Sequence, residues 1–322
     1  MPKYLRYIII IFALVAISLT IFLATHSEGK IFAKKAVDKR LVTDSIGRQL
    51  QIPQHPQRVV ALNASNLELY YAAGGTVVGK PLSSALPLEL VKATQEVPAV
   101  GIIHSPDVEK ILALKPDLVL GIDIPFHHNL IDILAKADIP IIINSLDKYE
   151  DVLQTLDFYG ELTNKKSLAA QKKQAIETQY QQILAQIQGE KVPKSLIIWG
   201  SPASFSMATN KSFSGDLVNR LGGCNIADSQ NKLNTAFVPL SMEYITAKDP
   251  EVIFLITHGS EEKVLAKFRQ ELSTNPIWQN ISAVKNNRVY QLPAPLFSVN
   301  PGTQVGESLQ IIANYLYTKE KK

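Results

Sequence analysis

The sequence contains a single cysteine, Cys224, among 322 residues. One cysteine excludes a disulfide framework and a cluster of thiolate metal ligands. Charge is also scarce: 33 basic and 29 acidic residues leave a net charge of +4, most of it near the two ends of the chain. The middle of the chain therefore lacks the basic stripe that binds a nucleic-acid backbone, which argues against a nucleic-acid partner.

Motifs of the common enzyme classes are missing as well. The sequence has no nucleophile elbow, phosphate loop, zinc-protease histidine pair or dinucleotide-binding glycine fingerprint in a suitable context. The pair Gly222–Gly223 follows a predicted helix that ends at Leu221, so it is predicted to cap that helix. We therefore expect a binding protein that is not an enzyme.

The longest apolar run lies at the N-terminus, where 18 residues from Tyr7 to Ala24 carry no charge and follow two basic residues. This layout predicts export through a signal or membrane anchor over residues 1–27, followed by a tether over residues 28–40. Thr25 with Ser27 is the only passable cleavage pair, so an anchor in the cytoplasmic membrane is favoured over secretion. The rest of the chain is then extracytoplasmic.

Beyond the tether, apolar runs bounded by turn residues alternate with stretches of helical period. This alternation predicts an α/β fold with parallel strands, in which two Rossmann-like lobes at 41–160 and 191–322 are joined by a single long helix within 161–190. The predicted strands are 58–63, 76–79, 97–103, 117–122, 139–144, 195–200, 251–256 and 288–292. The predicted helices are 67–73, 106–114, 130–137, 165–188, 215–221 and 303–317, with a break at 160–164 before the long helix.

Ligands of open α/β sheets bind beyond the carboxyl ends of the strands, so the cleft is expected between the two lobes. Its predicted walls are the loops that follow strands, namely residues 63–65, 103–105, 123–128, 201–206 and 257–260.

Two of the six histidines stand out by position. His104 and His258 each follow an apolar strand run and precede a helix start, one in each lobe. Two imidazoles that face each other across a cleft supply both axial ligands of a haem iron, and the positive end of a helix disfavours imidazolium. His127 and His128 form a second pair, predicted at the rim of the cleft, whereas His26 and His55 lie in the tether and the entry segment.

Three stretches resemble the class III solute-binding proteins of ABC importers for siderophores, cobalamin and haem. They are RVVALNASNLELYYAAGGTVVG at 58–79, DVEKILALKPDLVLG at 107–121 and LSMEYITAKDPEVIFL at 240–255. Three further stretches, at 204–228, 257–268 and 275–292, are similar to the haem-receptor lipoproteins of the iron-regulated surface determinant system of Gram-positive bacteria. The resemblance implies the class III periplasmic-binding-protein fold, haem b as the transported ligand and an ABC transporter permease as the partner.

The same resemblance assigns roles to four residues. His258 matches the family's haem-ligating histidine in a His-Gly turn, and His104 falls where the family has a ligating methionine. Glu109 in DVEKI and Glu243 in LSMEY match the glutamates with which each lobe docks on the permease. The chain departs from the family in that histidine replaces methionine and the lipid-bearing cysteine is absent, so the N-terminal apolar run takes the place of the lipid.

Two alternatives stay open at this point. The same scaffold carrying a ferric siderophore or a corrinoid would use arginines and aromatic side chains in the cleft, where Trp199 and Phe126 could serve. A tetrapyrrole metal chelatase, the more distant alternative, also places histidines between two α/β lobes, but export of the chain argues against it.

Overall fold

The computed structural model describes residues 38–230 and 234–317. The predicted anchor Tyr7–Ala24 lies outside these residues. Among the described helices, none is both long and apolar enough to cross a bilayer. The chain from Lys39 onward forms one compact unit, so a division into lobes at residues 160 and 190 stays a prediction.

The first sheet is parallel, as the buried apolar runs predict. Its strands lie in the order β4-β3-β7-β8, with β3 at Val59–Ala61, β4 at Val77–Gly79, β7 at Leu118–Ile122 and β8 at Ile141–Asn144. Every residue of β3 and β8 is buried, because helices cover both faces of the sheet. A separate antiparallel hairpin, β1 at Lys39–Thr43 and β2 at Gln49–Pro53, precedes it.

The strand expected over residues 97–103 is wrong. Only Gly101–Ile102 is extended, as β5, and it pairs antiparallel with β6 at Ser105–Pro106. Pro98 lacks the N–H that a ladder needs, and Gly101 has a φ of +102°, which is outside the range of a regular strand. In place of the expected strand, residues 97–103 therefore form a short β-bridge and the first strand and turn of a tight hairpin.

The second sheet is mixed, although parallel strands were expected throughout. Its order is β12-β10-β9-β13-β14, with β11 also on β9. The strands are β9 at Lys194–Gly200, β10 at Phe205–Ala208, β11 at Cys224–Asn225, β12 at Phe237–Pro239, β13 at Val252–Thr257 and β14 at Val289–Gln291. β11, β13 and β14 are parallel to their neighbours, whereas β10 is antiparallel to β9 and β12 to β10. The turn between β9 and β10, closed by Ser201 N–H to Ser204 O at 2.9 Å, is too short for a crossover and dictates the antiparallel pair.

Helices surround both sheets. In the first half of the chain they are α1 at Ala64–Ala72, α2 at Leu88–Ala93, α3 at Val108–Ala113, α4 at Pro125–His128, α5 at Ile131–Ala135, α6 at Tyr149–Leu162 and α7 at Lys166–Gln186. In the second half they are α8 at Phe213–Arg220, α9 at Met242–Lys248, α10 at Glu261–Thr274, α11 at Ser282–Lys285, α12 at Ala294–Phe297 and α13 at Val305–Leu316.

The long helix α7 has 21 residues, which corresponds to about 32 Å. Its fully buried residues are Ala169, Ile176 and Ile183, spaced seven apart, so a narrow stripe packs against α6 and α13 while the rest faces solvent. The break expected at 160–164 falls at residues 163–165, between α6 and α7, and Gly160 still lies inside α6. A Cβ there would collide with Ala169, so this glycine permits the close approach of α6 and α7.

Near its C-terminus, the chain is tied back to the first half by a short segment at residues 298–304. Ser65 of α1 donates to Asn300 O at 2.6 Å, and the Asn300 amide donates to Leu146 O at 2.9 Å. The Thr303 N–H donates to Glu68 Oε2 at 2.8 Å, and the Thr303 hydroxyl donates to Glu68 Oε1. Burial nevertheless raises the pKa of Glu68 from 4.5 to about 6, because these two bonds only partly offset the loss of water.

We predict that Glu68→Gln stabilises the protein at neutral pH. Because the pKa of Glu68 is higher in the folded chain than in the unfolded chain, ionisation of this group removes stability as pH rises from about 4.5 through 6. The amide can keep both contacts to Thr303 without that cost. In urea titrations the free energy of unfolding should rise by about 1–2 kcal/mol at pH 7.5 and change little at pH 4.5.

The exposed Glu96 provides the control, since Glu96→Gln should leave the free energy of unfolding unchanged at both pH values. A Glu68→Gln variant that is less stable than the parent at pH 7.5 would show that the carboxylate bonds to Thr303 outweigh the desolvation.

Candidate functional site

A cleft of about 1080 Å³, part of it open to solvent, lies where the strands of both sheets end. The predicted walls at 63–65, 103–105, 123–128 and 257–260 each contribute residues, as expected for loops at carboxyl ends of strands. The loop at 201–206 contributes none of the residues found to line it. Walls that the sequence did not predict come from residues 144–147, 212–214, 236–237 and 297–300.

His104 sits at the tip of a β-hairpin. Ile102 pairs with Ser105, so Ile103 and His104 form a two-residue turn. The strand-to-helix loop expected there is therefore wrong, because α3 begins only at Val108. Gly101 is required for this turn: a Cβ on it would collide with the Ser105 carbonyl and lie 2.9 Å from the Asp107 nitrogen. The hairpin places an exposed imidazole at the mouth of the cleft.

His258 is mounted differently, directly on the end of β13. Its backbone N–H donates to Gly200 O at 2.8 Å, which extends the pairing of β13 with β9 by one residue. Gly259 follows with a φ of +83°, and α10 begins at Glu261. The strand-to-helix position predicted for His258 thus describes this residue, and its side chain is half-buried.

The two imidazoles meet in the cleft. Their ring centroids are 6.0 Å apart with an interplanar angle of 74°. Each ring also has an aromatic neighbour: Phe126 lies edge-on to His104 at 5.2 Å, and Trp199 stacks on His258 at 5.3 Å and 28°. Phe237 contacts the indole of Trp199 at 5.2 Å.

Electrostatics favour the form of His258 that binds a metal. Burial, and to a lesser extent the neighbouring His104, lower the pKa of His258 below its usual value of 6.5. At neutral pH the ring is therefore uncharged and keeps a lone pair on one nitrogen, which is the form that coordinates metals.

The second histidine pair is only partly at the rim. His127 is completely buried, and its Nδ1 accepts the Ile122 N–H at 2.9 Å. The rim position predicted for His127 is therefore wrong, and burial lowers the pKa of its imidazole to about 4. His128 is partly exposed, with its Nε2 at 2.9 Å from Asp123 Oδ1. Successive residues of a helix point about 100° apart, so His127 faces the core while His128 reaches the surface.

Glu109 and Glu243 are both exposed and both occupy the first turn of a helix, α3 and α9 respectively. The N-caps of these helices, Asp107 and Ser241, accept backbone N–H groups at 3.1 Å and 3.3 Å. The carboxylates of Glu109 and Glu243 are therefore not needed as helix caps. Their part in docking remains a prediction.

Two sheets whose strands end on a shared cleft, with helices around both, are typical of a solute-binding protein of the periplasmic type. The model of the periplasmic binding protein family matches residues 59–296, and the chain belongs to this family. Members of this family bind solutes outside the cytoplasm for ABC transporters, and the chain is a solute-binding protein of this kind.

The chain is similar to a haem-uptake protein in both sequence and structure. The chain is 28% identical over 248 residues to the high-affinity heme uptake system protein IsdE of Staphylococcus aureus, covering 76% of this chain and 82% of IsdE. The structure of S. aureus IsdE complexed with heme matches with a TM-score of 0.72 at 26% identity, over 81% of this chain and 99% of that one.

An ABC transporter substrate-binding protein from Listeria monocytogenes also matches with a TM-score of 0.72, at 28% identity, over 82% of this chain and all of that one. S. aureus SirA complexed with staphyloferrin B shares the fold at 20% identity and a TM-score of 0.69, covering 85% of this chain and 96% of SirA. Proteins of this fold therefore accept different cargoes.

We predict that Gly101→Ala destabilises the protein more than an ordinary glycine substitution. The new Cβ would collide with backbone atoms on the facing strand of the hairpin. In addition, alanine would have to adopt the positive φ that this position requires. We expect a loss of about 2–3 kcal/mol in the free energy of unfolding, measured in urea.

Gly47→Ala separates the two causes. Gly47 also has a positive φ, of +82°, but no atom lies within 4 Å of its added Cβ, so only the backbone strain of about 1 kcal/mol should remain. Equal losses in the two variants would mean that the hairpin relaxes around the collision.

Proposed function

We propose that the chain is an extracytoplasmic receptor that delivers haem b to an ABC importer, with the iron held between His104 and His258. The supporting observation is the approach of two imidazoles from two walls of one cleft. A metal bound at about 2 Å by one nitrogen of each ring, from opposite sides, holds the ring centres roughly 6 Å apart. The observed separation of 6.0 Å agrees with this arrangement.

The surroundings suit a flat, largely apolar chelate. Two histidine ligands occupy two coordination positions of the iron. The four nitrogens of a tetrapyrrole fill the other positions in one plane. Trp199, Phe213 and Phe237 supply apolar wall around the imidazoles. The relatives include IsdE, whose structure was determined with heme.

Two imidazoles also set the chemistry of the bound iron. A methionine ligand raises the reduction potential of haem iron relative to histidine. With His104 in place of the methionine that the resemblance predicts, the receptor should hold Fe(III) more firmly than a site with mixed ligation.

A ferric siderophore or a corrinoid is the second candidate cargo. Trp199 and Phe237 give the cleft aromatic faces on which such ligands can pack, whereas Phe126 contacts His104 without being among the residues found to line the cleft. SirA, which shares the fold, was crystallised with staphyloferrin B. Titration with a ferric siderophore and with cobalamin, beside hemin, distinguishes these cargoes. Insertion of metal into free porphyrin would instead indicate the chelatase.

We predict that purified protein takes up hemin and gives a sharpened Soret band typical of six-coordinate, low-spin Fe(III). His104→Ala and His258→Ala should each shift the iron toward high spin and weaken binding at least about tenfold, because each removes one axial ligand. His104→Met should restore six-coordination with a higher reduction potential.

His55→Ala is the matched control, since the His55 ring lies outside the cleft with its Nδ1 at 3.2 Å from Leu162 O. An unchanged low-spin spectrum in His104→Ala would overturn the assignment of His104 and would direct attention to His128, the partly exposed member of the second pair. Failure of the wild-type protein to bind hemin would overturn the proposed cargo.

The second part of the proposal concerns delivery. The apolar segment Tyr7–Ala24 holds the receptor at the outer face of the cytoplasmic membrane, and Glu109 and Glu243 pair with basic side chains of the permease. Exposure of both carboxylates supports this role.

We predict that reversing both charges, Glu109→Lys with Glu243→Lys, abolishes haem-dependent growth while leaving the hemin titration unchanged. The reason is that like charges would face each other across the docking surface. Glu96→Lys with Glu177→Lys, two exposed glutamates elsewhere, should leave growth intact. Normal growth of the Glu109–Glu243 variant would refute the docking assignment.

A further inference from the structure

A metal-ligating histidine is normally oriented by a hydrogen bond from its second ring nitrogen to a carboxylate, carbonyl or water. Among the described residues, none makes such a bond to the ring of His258. Within residues 38–230 and 234–317, its hydrogen bond is made by the backbone N–H, to Gly200 O, and not by the ring. Packing contacts with neighbouring side chains then constrain the plane of the imidazole.

Trp199 supplies such a contact. It lies at the end of β9, opposite Ile256 of β13 in the parallel register. Because alternate residues of a strand share a face, Trp199 and His258 emerge on the same side of the sheet. The indole stacks on the imidazole at a centroid distance of 5.3 Å and an angle of 28°.

The indole is itself held in place from a third strand. Phe237 of β12 contacts Trp199 at 5.2 Å and 54°, and the strand between them, β10, pairs with both β9 and β12. Trp199 therefore sits between Phe237 and His258 and cannot swing away without breaking contacts on both sides.

The opposite imidazole has a weaker mount. Phe126 meets His104 edge-on at 5.2 Å and 61°, and Phe126 is itself 47% exposed. His104 is also carried by a hairpin tip rather than by a sheet. The two rings thus differ in how strongly the fold orients them.

We propose that Trp199 is a positioning residue that fixes the plane of the His258 imidazole and covers one of its faces, so that a ring nitrogen is presented to the cargo metal. This inference rests on the proposed haem-binding function. The flat face of the side chain carries the effect, so phenylalanine should substitute for tryptophan and leucine should not.

The test uses the full-length protein loaded with hemin, with apomyoglobin as the acceptor in a transfer assay. Trp199→Leu should release hemin about three- to tenfold faster than wild type, which is the worth of one aromatic pair. Trp199→Phe should stay within about twofold of wild type. The electron paramagnetic resonance signal of low-spin Fe(III) reports the relative orientation of the axial rings, so it should broaden or shift in Trp199→Leu and be restored in Trp199→Phe.

Phe205→Leu is the matched control for general loosening of the sheet. Phe205 pairs with Gly200 on the strand beside Trp199, but its ring packs against Phe268 on the other face. We expect wild-type transfer and resonance signals from this variant. If Trp199→Leu does not fold, Trp199→Met replaces it in the same comparison.

The outcomes separate the two proposals. A wild-type protein that binds no hemin, or a His258→Ala variant that binds it as wild type does, overturns the proposed function. A wild-type protein that shows His258-dependent binding, with Trp199→Leu unchanged in rate and signal, overturns the role of Trp199 alone. Equal loss in Trp199→Leu and Trp199→Phe overturns it too, because the effect would not depend on a flat ring.

Discussion

Parallel strands must be covered on both faces, and this requirement organises the whole molecule. The strands β3, β7, β8, β9 and β13 are buried along nearly their full length, so their polar side chains occur only near the strand ends. Such side chains collect where the strands end. His258 directly follows β13, and Trp199 is the last but one residue of β9. The chemistry of the cleft is thus a consequence of where buried strands stop.

The separation of the cleft walls depends on contacts that join the two halves of the chain. The segment at 298–304 binds α1 and the loop at Leu146 through hydrogen bonds from Ser65, Asn300 and Thr303. On another side, Asp216 of α8 accepts the Tyr149 N–H at the first turn of α6 at 3.0 Å. These ties, together with one shared apolar core, hold the walls of the cleft at a set separation.

Much of the fold follows from sequence pattern, because burial imposes a local period. The runs at 58–63, 117–122, 139–144, 195–200 and 251–256 each match an observed strand to within two residues at either end, and the long helix begins and ends within two residues of its predicted bounds. The hydrophobic pattern failed to predict the strands where one or two residues decided the local backbone conformation. Pro98 and Gly101 broke an apolar run into a hairpin, and the short turn at Ser201–Ser204 reversed β10.

For the site, the sequence placed His104 and His258 at the ends of apolar runs, and the family resemblance pointed to the same two residues. It could not show that the mounts differ, that His127 is buried, or that residues 144–147, 212–214 and 297–300 line the cleft. An aromatic residue at the end of a buried strand, as in SLIIWG at 195–200, was the available signal for Trp199.

The amino-acid sequence by itself determined most of the buried parallel strands and the long helix, because hydrophobic period and turn residues act over a few neighbours. Only the tertiary structure decided that His104 and His258 lie 6.0 Å apart and that Trp199 lies between Phe237 and His258. These residues are far apart in the chain. Their meeting depends on strand register and on the packing of the two sheets, which no local pattern encodes.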